Sequence, residues 1–297
     1  MFKRGISMLL AAAFVAAACS SAGSSSPPAA STAPGASAGA SPIAGGLLEK
    51  VLKAGTLKVS TDANYAPQSV QKPDGSYEGF DIDVATEIAK RLGVKVEFVT
   101  PGWDIITAGS WSGRWDVSVG SMTITVPRQG VFEFSPPYYF TPAQMTATTA
   151  SGITTIDGLA GKTVCVGSAT TYEDWLKGKL QSVSTGTVAT APAGVKVQSL
   201  DTDQSCAQAI AAGRKDAEGY LTAGPTVDAG IKNGTPIIKI GDPVFTEQLA
   251  VAVDKSGPAT TDFMPALAKI ITDMHADGTL KKLSEKWLGG DLTEAPS

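Results

Sequence analysis

Gly120-Ser121-Met122-Thr123-Ile124-Thr125-Val126-Pro127-Arg128 gathers the residue types that grip a small carboxylate. Hydroxyls and backbone N–H groups supply neutral donors, and the Arg128 guanidinium supplies a charge-assisted, two-pronged one. The plain alternative is an ordinary Ser/Thr turn followed by a helix whose first turn carries Pro127 and a solvated arginine. The choice depends on which elements place these residues.

The segment follows a short apolar strand, Asp116 to Val119, so the small polar residues are expected just beyond a strand end. Upstream, Leu57 to Ser60 reads as a strand ending in a loop that holds Asp62 and Tyr65. A helix begins near Phe80. Val84, Ile88 and Leu92 recur at four-residue spacing, Asp81 and Asp83 sit in its first turn, and Gly93 is its stop. Val94, Val96 and Phe98 alternate as a strand, and Trp103 to Trp111 reads as a further helix. A second run of the same kind starts near Gly161. Strands are expected at Thr163–Val166, Val195–Val197, Ala217–Leu221 and Ile237–Ile240, with helices at Tyr172–Leu180 and Asp203–Ala212. Thr170 and Glu173 have capping-box spacing ahead of the first of these helices. Thr261 to Leu288 is helical again, with a break at Gly278. Strands alternating with helices predict parallel α/β sheets.

The first residues read as targeting rather than fold. Lys3 and Arg4 precede an apolar run from Ile6 to Ala17, so residues 1–18 are expected to be a signal peptide. Ala16-Ala17-Ala18-Cys19 resembles a bacterial lipobox, with Cys19 acylated as the mature N-terminus, although alanine stands where leucine is usual. Ordinary signal cleavage near Ala18 is the alternative. Residues 19–46 are mostly Ser, Ala, Gly, Pro and Thr. Such a stretch cannot bury enough apolar area to offset its chain entropy, which predicts a flexible tether spanning roughly 30 Å. No later segment is apolar for long enough to cross a bilayer.

The formal charge is −4, and loss of Lys3 and Arg4 takes it to −6. With scattered cations and no basic patch, nucleic acid is excluded as a partner. Of three cysteines, Cys19 belongs to the anchor. Cys165 and Cys206 flank one expected βαβ unit, where export permits a disulfide; two buried free thiols are the alternative. No Cys or His spacing suggests a metal, and no cofactor motif is present. His275, the one histidine, lies on a polar helix stretch and gives no catalytic triad.

Ordered motifs then carry a resemblance over about Leu47 to Thr293: Gly79-Phe80-Asp81-Ile82-Asp83-Val84, the Gly120–Arg128 segment, Phe134-Ser135-Pro136-Pro137-Tyr138-Tyr139, and Asp277-Gly278-Thr279-Leu280 with Lys286-Trp287. Together they resemble the extracellular solute-binding proteins of family 3, which serve ABC importers of polar amino acids. The resemblance implies an α/β, two-lobed periplasmic-binding-protein-like fold, with a ligand cleft between lobes joined by two crossover strands. Lobe one is then 47–144 with 249–297, and lobe two 145–248. It further implies a monomer, held at the outer face of the cell membrane by its lipid, that hands a small carboxylate-bearing solute to an ABC permease. No chemistry is performed.

Site roles follow from the same resemblance. Tyr65 and Phe80 match the rings that sandwich the ligand side chain. Gly120, Ser121 and Thr123 match the holders of its carboxylate and amino group, and Arg128 the carboxylate arginine. Thr170 and Thr171 match second-lobe N–H donors at a helix N-terminus, and Asp62 a first-lobe acid that touches the ligand side chain in some members. Trp103 is either a cleft wall or core, with core the stronger expectation.

One departure stands out. Where relatives place an ammonium-binding aspartate after a Gly-Arg-x-Asp segment, here Gly213-Arg214-Lys215-Asp216, this chain has Leu221 or Ala223 depending on the direction of counting. Another acid must then substitute, with Asp62, Glu78 and Glu173 as candidates, or the ligand lacks an α-ammonium. Two other readings stay open: a dehydratase-type enzyme on the same fold, using Glu173 or Glu78 as its acid–base group, and a ligand-sensing module.

Overall fold

Asp262 ties the start of the helix beginning at Leu47 to the body. Its carboxylate accepts the N–H groups of Ile43 at 3.1 Å and Leu48 at 3.4 Å, at the start of α1 (Leu47–Ala54), whose cap residue Gly46 has no side chain to do so. A Cβ at Gly46 would lie 2.4 Å from Asp262 Oδ2, so only glycine admits this approach. Residues 43–46, expected as the end of a flexible tether, are bonded to the body. The computed structural model describes residues 41–182 and 186–296. The expected signal peptide, Cys19 and most of the expected tether lie outside the described residues.

The first half continues through β1 (Thr56–Ser60), a small antiparallel sheet of β2 (Asn64–Tyr65), β3 (Ser69–Gln71) and β4 (Tyr77–Glu78), then α2 (Phe80–Leu92) and β5 (Lys95–Val99). It goes on through α3 (Trp103–Thr107), β6 (Val117–Thr123), α4 (Val126–Val131), β7 (Phe132–Phe134) and β8 (Tyr139–Thr148). The apolar stripe of α2 is buried as its spacing predicts, and Gly93 ends the helix at φ 75°. The helix expected over Trp103–Trp111 is shorter. Gly109, Ser110, Ser112 and Gly113 all take left-handed backbone, which turns Trp111 into a core with Ile106, Trp115 and Phe132.

The second half comprises β9 (Thr163–Gly167), α5 (Thr171–Leu176), β10 (Lys196–Leu200), α6 (Asp203–Ala211), β11 (Gly219–Ala223), α7 (Gly224–Lys232), β12 (Ile237–Lys239) and β13 (Phe245–Asp254). It closes with α8 (Phe263–Ala276) and α9 (Thr279–Leu288).

One sheet runs β10-β9-β11-β8-β13-β6-β1-β5. Each end is a parallel triplet, β10-β9-β11 and β6-β1-β5. The ten-residue strands β8 and β13 join them, paired antiparallel from Tyr139↔Leu249 to Ala143↔Phe245. Beyond that ladder β8 turns to β11 and β12, and β13 turns to β6 and β7. These are the two crossover strands of a two-lobed fold. One core takes Leu57, Val59, Val84, Val119 and Tyr139 together with Leu249, Leu267 and Ile271. The other takes Ala143, Met145, Val164, Trp175, Leu221 and Phe245.

Cys165 on β9 and Cys206 on α6 form a disulfide, with Cα atoms 5.8 Å apart, inside a buried cluster that includes Ile210 and Tyr220. The bridge clamps the first turn of α6 to the middle strand of its triplet. Cross-linking that loop restricts the unfolded chain. Cys165→Ser with Cys206→Ser is therefore expected to cost about 2–4 kcal/mol in urea unfolding. An unchanged midpoint in the double variant would refute this.

Candidate functional site

A polar cavity lies where the strand ends of both triplets meet the crossing strands. Its lining includes Asp62, Tyr65 and Trp103 from the first half, with Gly120, Ser121, Thr123 and Arg128. From the second half come Gly167, Ser168, Thr170, Thr171, Tyr172 and Asp201–Asp203, and Glu247 comes from β13. The structure thus brings together eight of the nine residues expected to bind ligand. Phe80 is the correction. It is fully buried and packs on Tyr138 and Tyr139, with ring centroids 5.8 and 4.9 Å away. As the first residue of α2 its ring faces the inner core. Trp103, expected mainly as core, is a cavity wall: its ring lies 5.4 Å from the Arg128 guanidinium carbon.

The Gly120–Thr123 segment is not a loop past a strand end. It is the last part of β6, bent at Ser121, which holds φ 55°. A side-chain network sustains that backbone. Ser121 Oγ donates to Asp81 Oδ2 at 2.7 Å and lies 2.6 Å from the Tyr139 hydroxyl. Tyr138 donates to Asp81 Oδ1 at 2.7 Å and accepts the Ser121 N–H at 3.0 Å. Ser121 therefore lines the cavity while its hydroxyl and N–H are spent on the wall behind. Asp81, read from sequence as a first-turn carboxylate, is the buried anchor of this bend. Burial pushes its carboxyl up to about 7, against the Tyr138 and Ser121 bonds, and nearby Asp62 adds to the rise.

Glu247 is 2% exposed and accepts three hydroxyls. Thr123 donates to Oε1 at 2.6 Å, Thr171 to the same oxygen, and Tyr172 to Oε2 at 2.6 Å. Tyr65 reaches the Tyr172 hydroxyl at 3.3 Å. The hydroxyls of Thr123 and Thr171 are thus committed to this carboxylate. Thr170 caps α5, accepting the Glu173 N–H at 3.2 Å and donating to Gly167 O at 2.7 Å.

Arg128 is half-buried. One guanidinium nitrogen donates to Thr123 O and another to Ala169 O, both at 3.1 Å. Trp103 Nε1 donates to the same Ala169 carbonyl at 3.1 Å, so two first-half side chains meet one second-half oxygen. Burial lowers the Arg128 pKa, while Glu247, Asp174 and Tyr172 raise it. No carboxylate pairs directly with this guanidinium among the described residues, and two carbonyls leave part of its five-donor fork for an anion.

Leu221 and Ala223 are fully buried in the second core and offer no acceptor. Glu78 is paired with Lys72 at 2.9 Å and lies off the cavity. Glu173 also lies off it. It binds the Ala169 N–H, Lys177 and Ser199, which hold its carboxyl below the usual range despite partial burial. Of the three acids considered to replace the missing aspartate, only Asp62 reaches the cavity. Sequence reasoning missed Asp203 and Glu247. Glu247 was detectable as an acid inside an apolar crossing strand, whereas Asp203 was hidden by its place at a helix start. His275, on the polar stretch of α8, is half-buried with Nε2 2.9 Å from Pro137 O.

A two-lobed α/β fold with a polar cleft at its crossing strands defines a solute-binding protein. The family model for bacterial extracellular solute-binding proteins, family 3, matches residues 57–290, and this chain belongs to that family. The chain is 34% identical over 251 residues to the L-cystine-binding protein TcyJ of Escherichia coli (strain K12), covering 84% of this chain and 88% of that one. Its fold is similar to an ancestral arginine-binding protein bound to arginine (TM-score 0.67, 31% identity, 78% of this chain and 98% of the other). It is also similar to the ancestral amino acid-binding protein AncCDT-1, a precursor of cyclohexadienyl dehydratase (TM-score 0.69, 31% identity, 81% and 99%).

Asp81 yields a pH prediction. In the folded chain it holds its proton up to about pH 7, while in the unfolded chain it ionises above about pH 4. Between these values the unfolded state binds fewer protons, so this residue makes stability fall as pH rises across that window. Urea midpoints measured from pH 4.5 to 8 are expected to fall less steeply in Asp81→Asn than in the parent. Identical slopes would rule the assignment out.

Proposed function

We propose that this chain is the ligand-capturing component of an ABC importer, and that it encloses a polar amino acid or close analogue between lobes 47–144 with 249–297 and 145–248. The supporting observation is Arg128. A guanidinium drawn into a cavity without an ion-pair partner, flanked by an indole and held by one carbonyl from each side, suits the carboxylate of a small solute. The backbone around Gly120, Thr123, Thr170 and Thr171 surrounds the same space, with Tyr65 and Asp62 toward the rest of the ligand. The relatives' names, for L-cystine and arginine, point to the same ligand class.

The mechanism is population shift. A solute that touches both lobes stabilises their closed arrangement and no bond is made or broken. A dehydratase reading loses its two sequence candidates, since Glu78 and Glu173 lie outside the cavity. The proposed setting is the outer face of the membrane, with the chain a monomer tethered through acylated Cys19 and facing a permease.

Arg128→Ala is expected to weaken binding by about 2–5 kcal/mol in calorimetry against a panel of amino acids while leaving the melting temperature of the free protein nearly unchanged. Undiminished affinity in a folded variant would sink the site. For the anchor, Cys19→Ser should move the protein from the membrane fraction to the soluble fraction. Retention on membranes after a high-salt wash would place the anchor elsewhere.

A further inference from the structure

The cavity carries more negative charge than its own residues balance. Its one guanidinium, Arg128, faces three carboxyl groups, from Asp62, Asp203 and Glu247; Asp201 also borders it but is exposed. Glu247 is electrostatically coupled to Arg128 and has three hydroxyl donors of its own. Asp62 and Asp203 are placed differently. Beyond burial, Asp62 raises the Asp203 pKa and itself accepts the Asn64 N–H at 2.7 Å, and among the described residues neither acid forms an ion pair. The cavity thus holds one cation and, besides Glu247, two acids that no cation of the described residues bridges.

Asp203 is held there by its surroundings. It is 7% exposed, and Oδ1 accepts the Gly167 N–H at 2.9 Å. A Cβ on residue 167 would lie 2.9 Å from that oxygen and 3.1 Å from the Asp203 nitrogen, so glycine is what leaves room for this carboxyl. The Cys165–Cys206 bridge locks the two segments together, two residues before Gly167 and three after Asp203. A carboxyl clamped so firmly in a cavity, with no cation of the protein's own, is built to meet a cation that arrives. Leu221 and Ala223 cannot serve that purpose.

Resting on the reading of the cavity as an amino acid site, we propose that Asp203 accepts the ligand's α-ammonium in place of the absent strand-end aspartate, and that Asp62 in the same cavity takes a second cationic group. The ligand is then a dibasic amino acid: one carboxylate for Arg128 and two cations for the two acids. A neutral side chain leaves Asp62 unpaired, and a second carboxylate meets no second guanidinium.

The test is calorimetry with L-arginine, L-lysine, L-glutamine and L-cystine on the full mature chain, its Arg128→Ala, Asp203→Asn and Asp62→Asn variants, and Asp203→Ser should the asparagine variant not fold. The parent should bind L-arginine or L-lysine at least about tenfold tighter than L-glutamine or L-cystine. Asp203→Asn should weaken every α-amino acid by about ten- to a hundredfold, and Asp62→Asn only the dibasic ones. A purely structural role is separated by pH. Burial, with Asp62 and Glu247 nearby, holds the Asp203 carboxyl up to about 7. The groups facing it are Asp62, Tyr65, Tyr172, Tyr220 and Glu247. Parental affinity for L-arginine should rise from pH 5.5 to 8, and that rise should shrink in Asp203→Asn. Parental affinity for L-arginine in a folded Asp203 variant, a flat parental pH profile, or preference for L-glutamine or L-cystine overturns the proposal. If Arg128→Ala abolishes binding while Asp203→Asn does not, only this inference fails. If the parent binds none of the four, the amino acid reading fails with it.

Discussion

Glu247 is the carboxylate that both lobes share. It stands on a crossing strand, and its oxygens collect hydroxyls from Thr123 on one side and from Thr171 and Tyr172 on the other. A buried carboxylate left without donors costs several kcal/mol, so these three bonds are close to obligatory once the residue is enclosed. They set the rotamers of the very side chains that wall the cavity. The backbone groups of those residues are thereby presented to a solute, while their hydroxyls hold the walls in register.

The same division recurs around the rest of the cavity. Ser121 spends its hydroxyl on Asp81 so that the strand can bend and open its end. Glu173 spends its carboxylate on the Ala169 N–H, which steadies a left-handed residue whose carbonyl then receives Arg128 and Trp103. Side chains that look exposed in the sequence are thus supports for the backbone that walls the cavity.

The sequence made the alternation of strands and helices legible, and with it the two-lobed plan. Periodicity and glycine stops are local signals, and α2 with its Gly93 end follows them residue by residue. Arg128 was legible from its type and its place after a strand, whereas Tyr65 and Asp62 entered through the family resemblance. Phe80 failed because an aromatic at a helix start serves core and cleft equally well, and only packing against Tyr138 and Tyr139 decides. Asp203 and Asp81 failed for the converse reason. An acid at a helix N-terminus is fully explained by local capping, so nothing in sequence distance signals that tertiary contacts bury it. The two- and three-residue strands β2, β3 and β4 carry too few residues for any period to show.

The antiparallel ladder between β8 and β13 has a further consequence. Five paired residues tie the two crossings side by side, so the lobes are joined by a strip of sheet rather than by two loose cords. A strip flexes about one axis far more readily than it twists or shears. In the proposed closure, capture of a solute is then a bend of this strip, which both lobes report in their outline. A receptor resting on both lobes can distinguish loaded from unloaded carriers by touch alone, without reaching the cargo, and one docking surface can serve every solute that brings the strip to the same bend.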